Sequence, residues 1–502
     1  MNRPRQASLL LMLLAVGLAL LACASGVDQP AATPLDDALR ELIIAQGLTG
    51  DPSLGRDLPD VEDPLAQLGK QLFFSKALSG DMDVACASCH HPQLAGGDGL
   101  AVGFGVGALE PDLLGPGRTR ADGLPNVPRN APTTFNIGLW DQAMFWDGRV
   151  ESLGKTAGAN GGDGEGICTP DEHFIDADPQ AGPDLASAQS RFPVTSAAEM
   201  RGSDFERYGP NWMVREHLAG RLGDYGSGQG ELSNSGWLAQ FRRAFASRAG
   251  AETLITDANI AEAVGAYERS QVFVDTPWRA YVQGDLAAIG QEAKRGALLF
   301  FRTVEEGGAG CASCHQGDFF TDEQYYVLAV PQVGPGKEDG TYGDDDYGRF
   351  RVSGRPEDMY AFRTPTLLNV AATGPYGHDG AYATLEGVVR HHLSPAAAVA
   401  AYDPGRLDPA VQTEHLAYNT GRALAKLQEN RRLGLPAVQD VALDDGQVGD
   451  LLAFLHALTD PCTLDPACTA AWVPAKSERD PDGLRLVAEI PWLEREGRMG
   501  EW

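Results

Sequence analysis

The chain has 502 residues, 43% of them hydrophobic, and a formal net charge of −29. That charge argues against a nucleic-acid partner and favours long-range attraction for a small basic protein. The length is too great for a single core and suggests two domains.

Arg3 and Arg5 precede an apolar run from Leu9 to Leu21, the layout of a secretory signal, assigned here to residues 1–22. The stretch ends in Leu20-Leu21-Ala22-Cys23, which resembles a bacterial lipobox and would make Cys23 a lipidated N-terminus. An ordinary cleaved signal or an N-terminal membrane anchor is the alternative. Residues 23–36 read as a flexible tether, and no later hydrophobic run approaches membrane-spanning length.

Next comes "LGKQLFFSKALSGDMDVACASCH", with apolar residues at helical spacing and Gly69 leaving room for a second helix. Its last five letters, Cys86 to His90, are the attachment signature of c-type haem. Two residues between the cysteines let both sulfurs reach one porphyrin edge, and the adjacent imidazole, His90, reaches the iron. A zinc knuckle would need two further ligands nearby, and a thioredoxin-like motif would not require the histidine. The following "GFGVG" lacks the strand and helix of a nucleotide fingerprint.

The segment "TAGANGGDGEGICTPDEHFIDADPQAGPD" has no helical period and reads as an inserted surface loop carrying Cys168 and His173. Asn259 to Val274 has the pattern of a helix that closes the first domain. A division falls near Tyr281 to Ala293. The motif then returns: "RGALLFFRTVEEGGAGCASCH" matches Gly69, Leu72, Phe73 and Phe74 with Gly296, Leu299, Phe300 and Phe301. A second haem site follows at Cys311, Cys314 and His315. "EDGTYGDDDYGRF" reads as an acidic loop of solvated carboxylates. Val448 to Asp460 is the second closing helix, and Cys462 and Cys468 are placed for a local disulfide. Cys168 is either a free thiol or a partner for one of these.

The expected architecture is mainly α, with two cytochrome c-like domains joined by loop-rich segments, each holding one covalent haem. The boundaries are 37–285 and 286–461, with a C-terminal tail at 462–502.

Five further motifs fall in register with the two haem sites: "RNAPTTFN" (129–136), "FWDGRV" (145–150), "AAEM" (197–200), "FRTPTLLNV" (362–370) and "TGPYGHDGAYATLEGVV" (373–389). In this the chain resembles the bacterial di-haem cytochrome c peroxidase and MauG family. The resemblance implies that peroxide reacts at the first haem and that the second stores an electron. Trp146 matches the aromatic between the haems, and Glu199 matches the catalytic carboxylate. Asn130, with the carbonyls of Thr373 and Pro375, matches a calcium site. The position that supplies the second haem's distal ligand in the family, commonly Met or Tyr, is His392 here, with His391 and Met359 as alternatives. His378 of the "HDG" motif reads as structural. Many members also place a histidine on the first iron in the resting state. Between His91 and His173 this chain has none, which predicts an open first haem unless His173 reaches it.

The implied activity is reduction of hydrogen peroxide with electrons from a small cytochrome c or cupredoxin, in the periplasm or cell envelope and in a family that is often dimeric. A MauG-like oxidase acting on a protein partner and a non-catalytic di-haem carrier are the rival readings.

Overall fold

The computed structural model describes residues 31–491; the signal at 1–22 and lipidation at Cys23 lie outside the described residues. Six helices position the site: α1 (Pro34–Gln46), α2 (Pro64–Phe73), α3 (Asp257–Arg269), α4 (Gln291–Phe301), α5 (Leu385–Leu393) and α6 (Asp445–His456). The tether is thus shorter than its sequence limits, because Thr33 and Asp36 form a capping box ahead of Pro34.

Helix α2 crosses α3, and α4 crosses α6, by the same device. A Cβ on Gly69 would lie 1.9 Å from the Ala263 carbonyl oxygen, and one on Gly296 would lie 1.9 Å from that of Asp450. Each glycine therefore lets backbone meet backbone where the helices cross. Around the first crossing, Leu72, Phe73, Phe74, Val264 and Tyr267 form one core; around the second, Phe300, Phe301, Leu451 and Phe454 form another.

The two ends of the described chain change sides relative to the sequence partition. Helix α1 buries Leu39 in the second core, and its Asp36 accepts a 2.8 Å hydrogen bond from the Tyr281 hydroxyl and meets Lys294 Nζ at 2.7 Å. The C-terminal tail returns to the first core, where Leu486 N–H donates to the Phe74 carbonyl at 2.8 Å and Leu486 and Ile490 are buried. Ahead of that return, Cys462 and Cys468 are disulfide-bonded, and Cys168 is a free, buried thiol.

Two expectations about loops are corrected. The insertion is partly core: Asn160, Ile167, Cys168 and Thr169 are buried, and Ile167–Cys168 adds the third strand to an antiparallel sheet with Ala143–Met144 and Val150–Ser152. The alternation of Gly and Asp in that segment hides a two-residue strand, which is too short for any period to register. The acidic loop is not simply solvated either, since Asp345 and Asp346 are buried. Among the described residues, no helix is long and apolar enough to cross a membrane.

Candidate active site

A cavity of about 810 Å³ lies between the two crossings, near the top of the ~300–1,000 Å³ range of ligand sites. Cys86, Cys89 and His90 of the first motif and Cys311, Cys314 and His315 of the second all line it. Both motifs adopt one tight turn, with His90 N–H donating to the Cys86 carbonyl and His315 N–H to that of Cys311, each at 3.0 Å. Burial pushes the thiols up, Cys89 and Cys311 to about 12.

The histidines are oriented for a metal. His90 Nδ1 is 3.1 Å from the Gly96 carbonyl, and His315 Nδ1 is 3.1 Å from that of Phe320. Donation through Nδ1 leaves Nε2 as the ligating nitrogen of each ring. Burial pushes both rings down, His315 to about 4 with the neighbouring His392 contributing, so both are neutral as ligands must be.

His392, on α5, bonds through Nδ1 to the Val388 carbonyl at 2.8 Å and lines the cavity opposite His315. The two ring centroids are 6.4 Å apart. Two imidazoles sharing one metal, each bond about 2.0–2.1 Å, would place their centroids about 6.3 Å apart. The residues therefore fit a haem iron between His315 and His392. His391 has both nitrogens engaged, by the Tyr382 hydroxyl and the Leu328 carbonyl at 2.8 Å each, and neither it nor Met359 lines the cavity.

The first motif has different company. Glu199 sits on a π-helical turn, Ala197–Arg201, of a kind that recurs at functional sites. Close glycine contacts hold that turn: a Cβ on Gly105 would lie 2.0 Å from the Ala198 oxygen, and one on Gly80 would lie 1.9 Å from the Arg201 oxygen. This explains part of "GFGVG". Three polar side chains that sequence reasoning missed share the same wall: Asp98, Gln189 and Glu268. Gln189 Oε1 and Glu268 Oε2 are buried with no hydrogen-bond partner among the described residues, and burial pushes Asp98 up to about 7. The histidines in the cavity wall are His90, His315, His378 and His392. His173 is exposed on the insertion, and His91 is buried against Phe74, away from the cavity.

Trp146 occupies the tip of the hairpin between Ala143–Met144 and Val150–Ser152 and lines the cavity. Its indole N–H donates to the Asn130 carbonyl at 3.0 Å, and its own carbonyl accepts from Arg363 N–H at 2.8 Å. The next residue, Asp147, meets Arg129 at 2.6 Å, and Arg129 holds Asp346 bidentately at 2.6 and 2.8 Å. Burial alone would raise both carboxyls; the guanidinium between them overrides it and holds both below the usual range, Asp346 at about 2. This buried triad ties the Trp146 hairpin to the second half of the chain. Arg363 and Lys337 also reach the cavity wall; Arg363 lies 3.4 Å over the Trp140 ring and keeps Nη1 unpartnered. Such free cationic nitrogens suit the carboxylates of a haem.

Asn130, Thr373 and Pro375 line one cavity, with Asn130 buried and its amide donating to the Leu100 carbonyl at 2.9 Å. His378 stacks on Phe362 at 3.7 Å.

A model of the di-haem cytochrome c peroxidase family matches residues 63–287. MauG, the methylamine utilization protein of Methylorubrum extorquens, is 30% identical over 329 residues, which is 65% of this chain and 67% of that one. Cytochrome c551 peroxidase of Pseudomonas aeruginosa is 26% identical over 321 residues, covering 64% and 69%. Among solved structures, the diheme peroxidase BthA of Burkholderia thailandensis shares the fold at TM-score 0.50, with 23% identity and coverage of 88% and 93%. A MauG-like protein associated with microbial copper homeostasis gives TM-score 0.51 at 23% identity, covering 82% and 96%. With two CASCH turns lining one cavity and a MauG relative 30% identical over two thirds of its length, the chain belongs to the di-haem cytochrome c peroxidase and MauG family of oxidoreductases.

Proposed function

We propose that the protein is an exported, lipid-anchored di-haem peroxidase that reduces hydrogen peroxide to water, using electrons from a periplasmic cytochrome c or a small copper protein. It would carry one cytochrome c-like domain and one covalent haem at each CASCH motif. The observation that carries this reading is an asymmetry. The second motif has an imidazole whose ring centroid is 6.4 Å from that of its own histidine, whereas the carboxyl groups of Glu199 and Asp98 stand near Cys89 of the first.

Bound at the two motifs, the haems would supply an iron for peroxide and a store for one electron. Glu199 takes the proton from one peroxide oxygen and returns it to the other, so that the leaving oxygen departs as water. Positioned acid–base catalysis of this kind contributes about 10²–10⁴-fold. His392, with His315, would hold the haem at the second motif and would keep peroxide away from it. Trp146 offers an aromatic ring for charge movement between the halves, and the Arg129 triad fixes its hairpin. Asn130 and the carbonyls of Thr373 and Pro375 would hold a calcium ion. In support, neither carbonyl accepts a hydrogen bond from the described residues.

The 30% identity to MauG supports a second reading, oxidation of a protein partner by the same haems. Peroxide consumption by the haem-loaded protein, with a reduced cytochrome c and then with an artificial reductant, separates the two. Turnover that Glu199→Gln abolishes supports the peroxidase. No turnover with either reductant, but a haem spectrum that peroxide changes, favours the oxidase; an unchanged spectrum leaves an electron carrier.

A further inference from the structure

The two helix crossings can be superimposed residue by residue through their glycines. A Cβ on Gly69 would meet the Ala263 oxygen and Tyr267 Cβ; one on Gly296 would meet the Asp450 oxygen and Phe454 Cβ. Tyr267 thus corresponds to Phe454, and the next residues, Glu268 and Leu455, correspond as well. So do Val264 and Leu451. Val264, Glu268, Leu451 and Leu455 all line the cavity and are buried. The second half therefore turns two leucines toward its haem site, and the first half turns a valine and a carboxyl group.

That carboxyl has no structural task. Glu268 is 4% exposed, its Oε2 has no partner among the described residues, and it faces the cavity beside Cys86. Leaving a buried polar atom unpartnered is costly, and a leucine in this position, as in the other half, would avoid that cost. Ser187 Oγ, which packs against Gly265 one helical turn away, and Gln189 Oε1 are buried and unpartnered too. Several charged groups on the packed elements are committed to one another. Asp184 meets Arg269 at 2.9 Å, and Lys70 of α2 meets Glu478 at 3.3 Å. Arg191 and Arg215 are held by Asp171, Asp178 and Asp257, and the Tyr267 hydroxyl donates to the Trp472 carbonyl at 2.8 Å.

We propose that Glu268 is the redox-linked proton acceptor of the first haem, taking up a proton when that haem is reduced and releasing it when the haem is oxidised. The proposal rests on the reading that Cys86, Cys89 and His90 hold a haem. One electron arrives from the reductant and one proton from solvent, so the buried pair of haem and carboxyl changes no net charge. An uncompensated electron in so buried a site would be opposed far more strongly than in water. Burial, with Asp184 adding to it, pushes the Glu268 carboxyl up to about 8, which puts its proton uptake in the neutral to mildly alkaline range. Leu455 gives the second haem no such partner.

The test is a potentiometric titration of both haems in the haem-loaded protein between about pH 6 and about pH 10, for wild type, Glu268→Gln and Glu268→Leu. In wild type, the ratio of reduced to oxidised first haem at fixed potential should fall with rising pH around pH 8. The slope should approach tenfold per pH unit, which is about 59 mV for one electron. Both variants should flatten that slope while the slope of the second haem stays as in wild type. Glu268→Leu copies the other half and so retains the packing. The proposal is overturned if either variant keeps the wild-type slope, or if the wild-type potential is level in this window. A preparation with no haem at the first motif would instead defeat the haem reading itself, and the proposal with it.

Discussion

The first and second halves of the cavity are built on one scaffold and furnished differently. In each, a glycine presses the helix before the CASCH turn against the closing helix, and the turn aims a histidine whose Nδ1 is tied to a backbone carbonyl. Around His315 the furnishing is apolar, Leu451 and Leu455, with one more imidazole opposite. Near Cys86 and Cys89 it is Glu268, Asp98 and Glu199. On the proposed reading, a shared scaffold would specify where a haem sits, and a handful of side chains would decide whether protons reach it.

The comparison can be broken most severely at Glu199. Glu199→Gln should lower peroxide turnover by about 10²–10⁴-fold, measured by stopped-flow reduction with an artificial donor, while leaving both haem spectra in place. Arg129→Met attacks the link between the halves. Removing one partner from a buried charge network costs about 3–5 kcal/mol, so the unfolding midpoint in denaturant should drop accordingly. The same network gives a pH dependence of known sign. Asp346 has a folded pKa of about 2, below its unfolded value. Its contribution is thus complete above about pH 4 and is lost as pH falls toward 2. Acid unfolding followed by circular dichroism should show that loss in wild type and a smaller one in Arg129→Met. Gly69→Ala and Gly296→Ala probe the shared scaffold: each forces a Cβ onto a carbonyl and should destabilise by about 1–3 kcal/mol. Similar costs at the two sites would sharpen the comparison, and very unequal ones would break it.

The scaffold was legible in the sequence because its signals are local. The pentapeptide, the Gly-x-x-Leu-Phe-Phe repeat and the amphipathic closing helices each lie within one short window. His392 was expected from the family's ligand position after the "HDG" motif, and the fold brings its ring centroid to 6.4 Å from that of His315. What could not be read depends on distant partners. Asp346 looked like one carboxylate in a solvated acidic run, and only the approach of Arg129 makes it a buried anchor. The return of Leu486 to the first core, and of Leu39 to the second, likewise leaves no local trace. Glu268 was discoverable: aligning the closing helices on Tyr267 and Phe454 sets a glutamate against a leucine.

The central claim, one open haem and one capped haem, is tested most directly by electron paramagnetic resonance of the oxidised, haem-loaded protein, beside His392→Ala. The account predicts one high-spin signal from the first haem and one low-spin, bis-imidazole signal from the second, with the low-spin signal converted to high-spin in the variant. Two low-spin signals in wild type, or a low-spin signal that survives in His392→Ala, would contradict it.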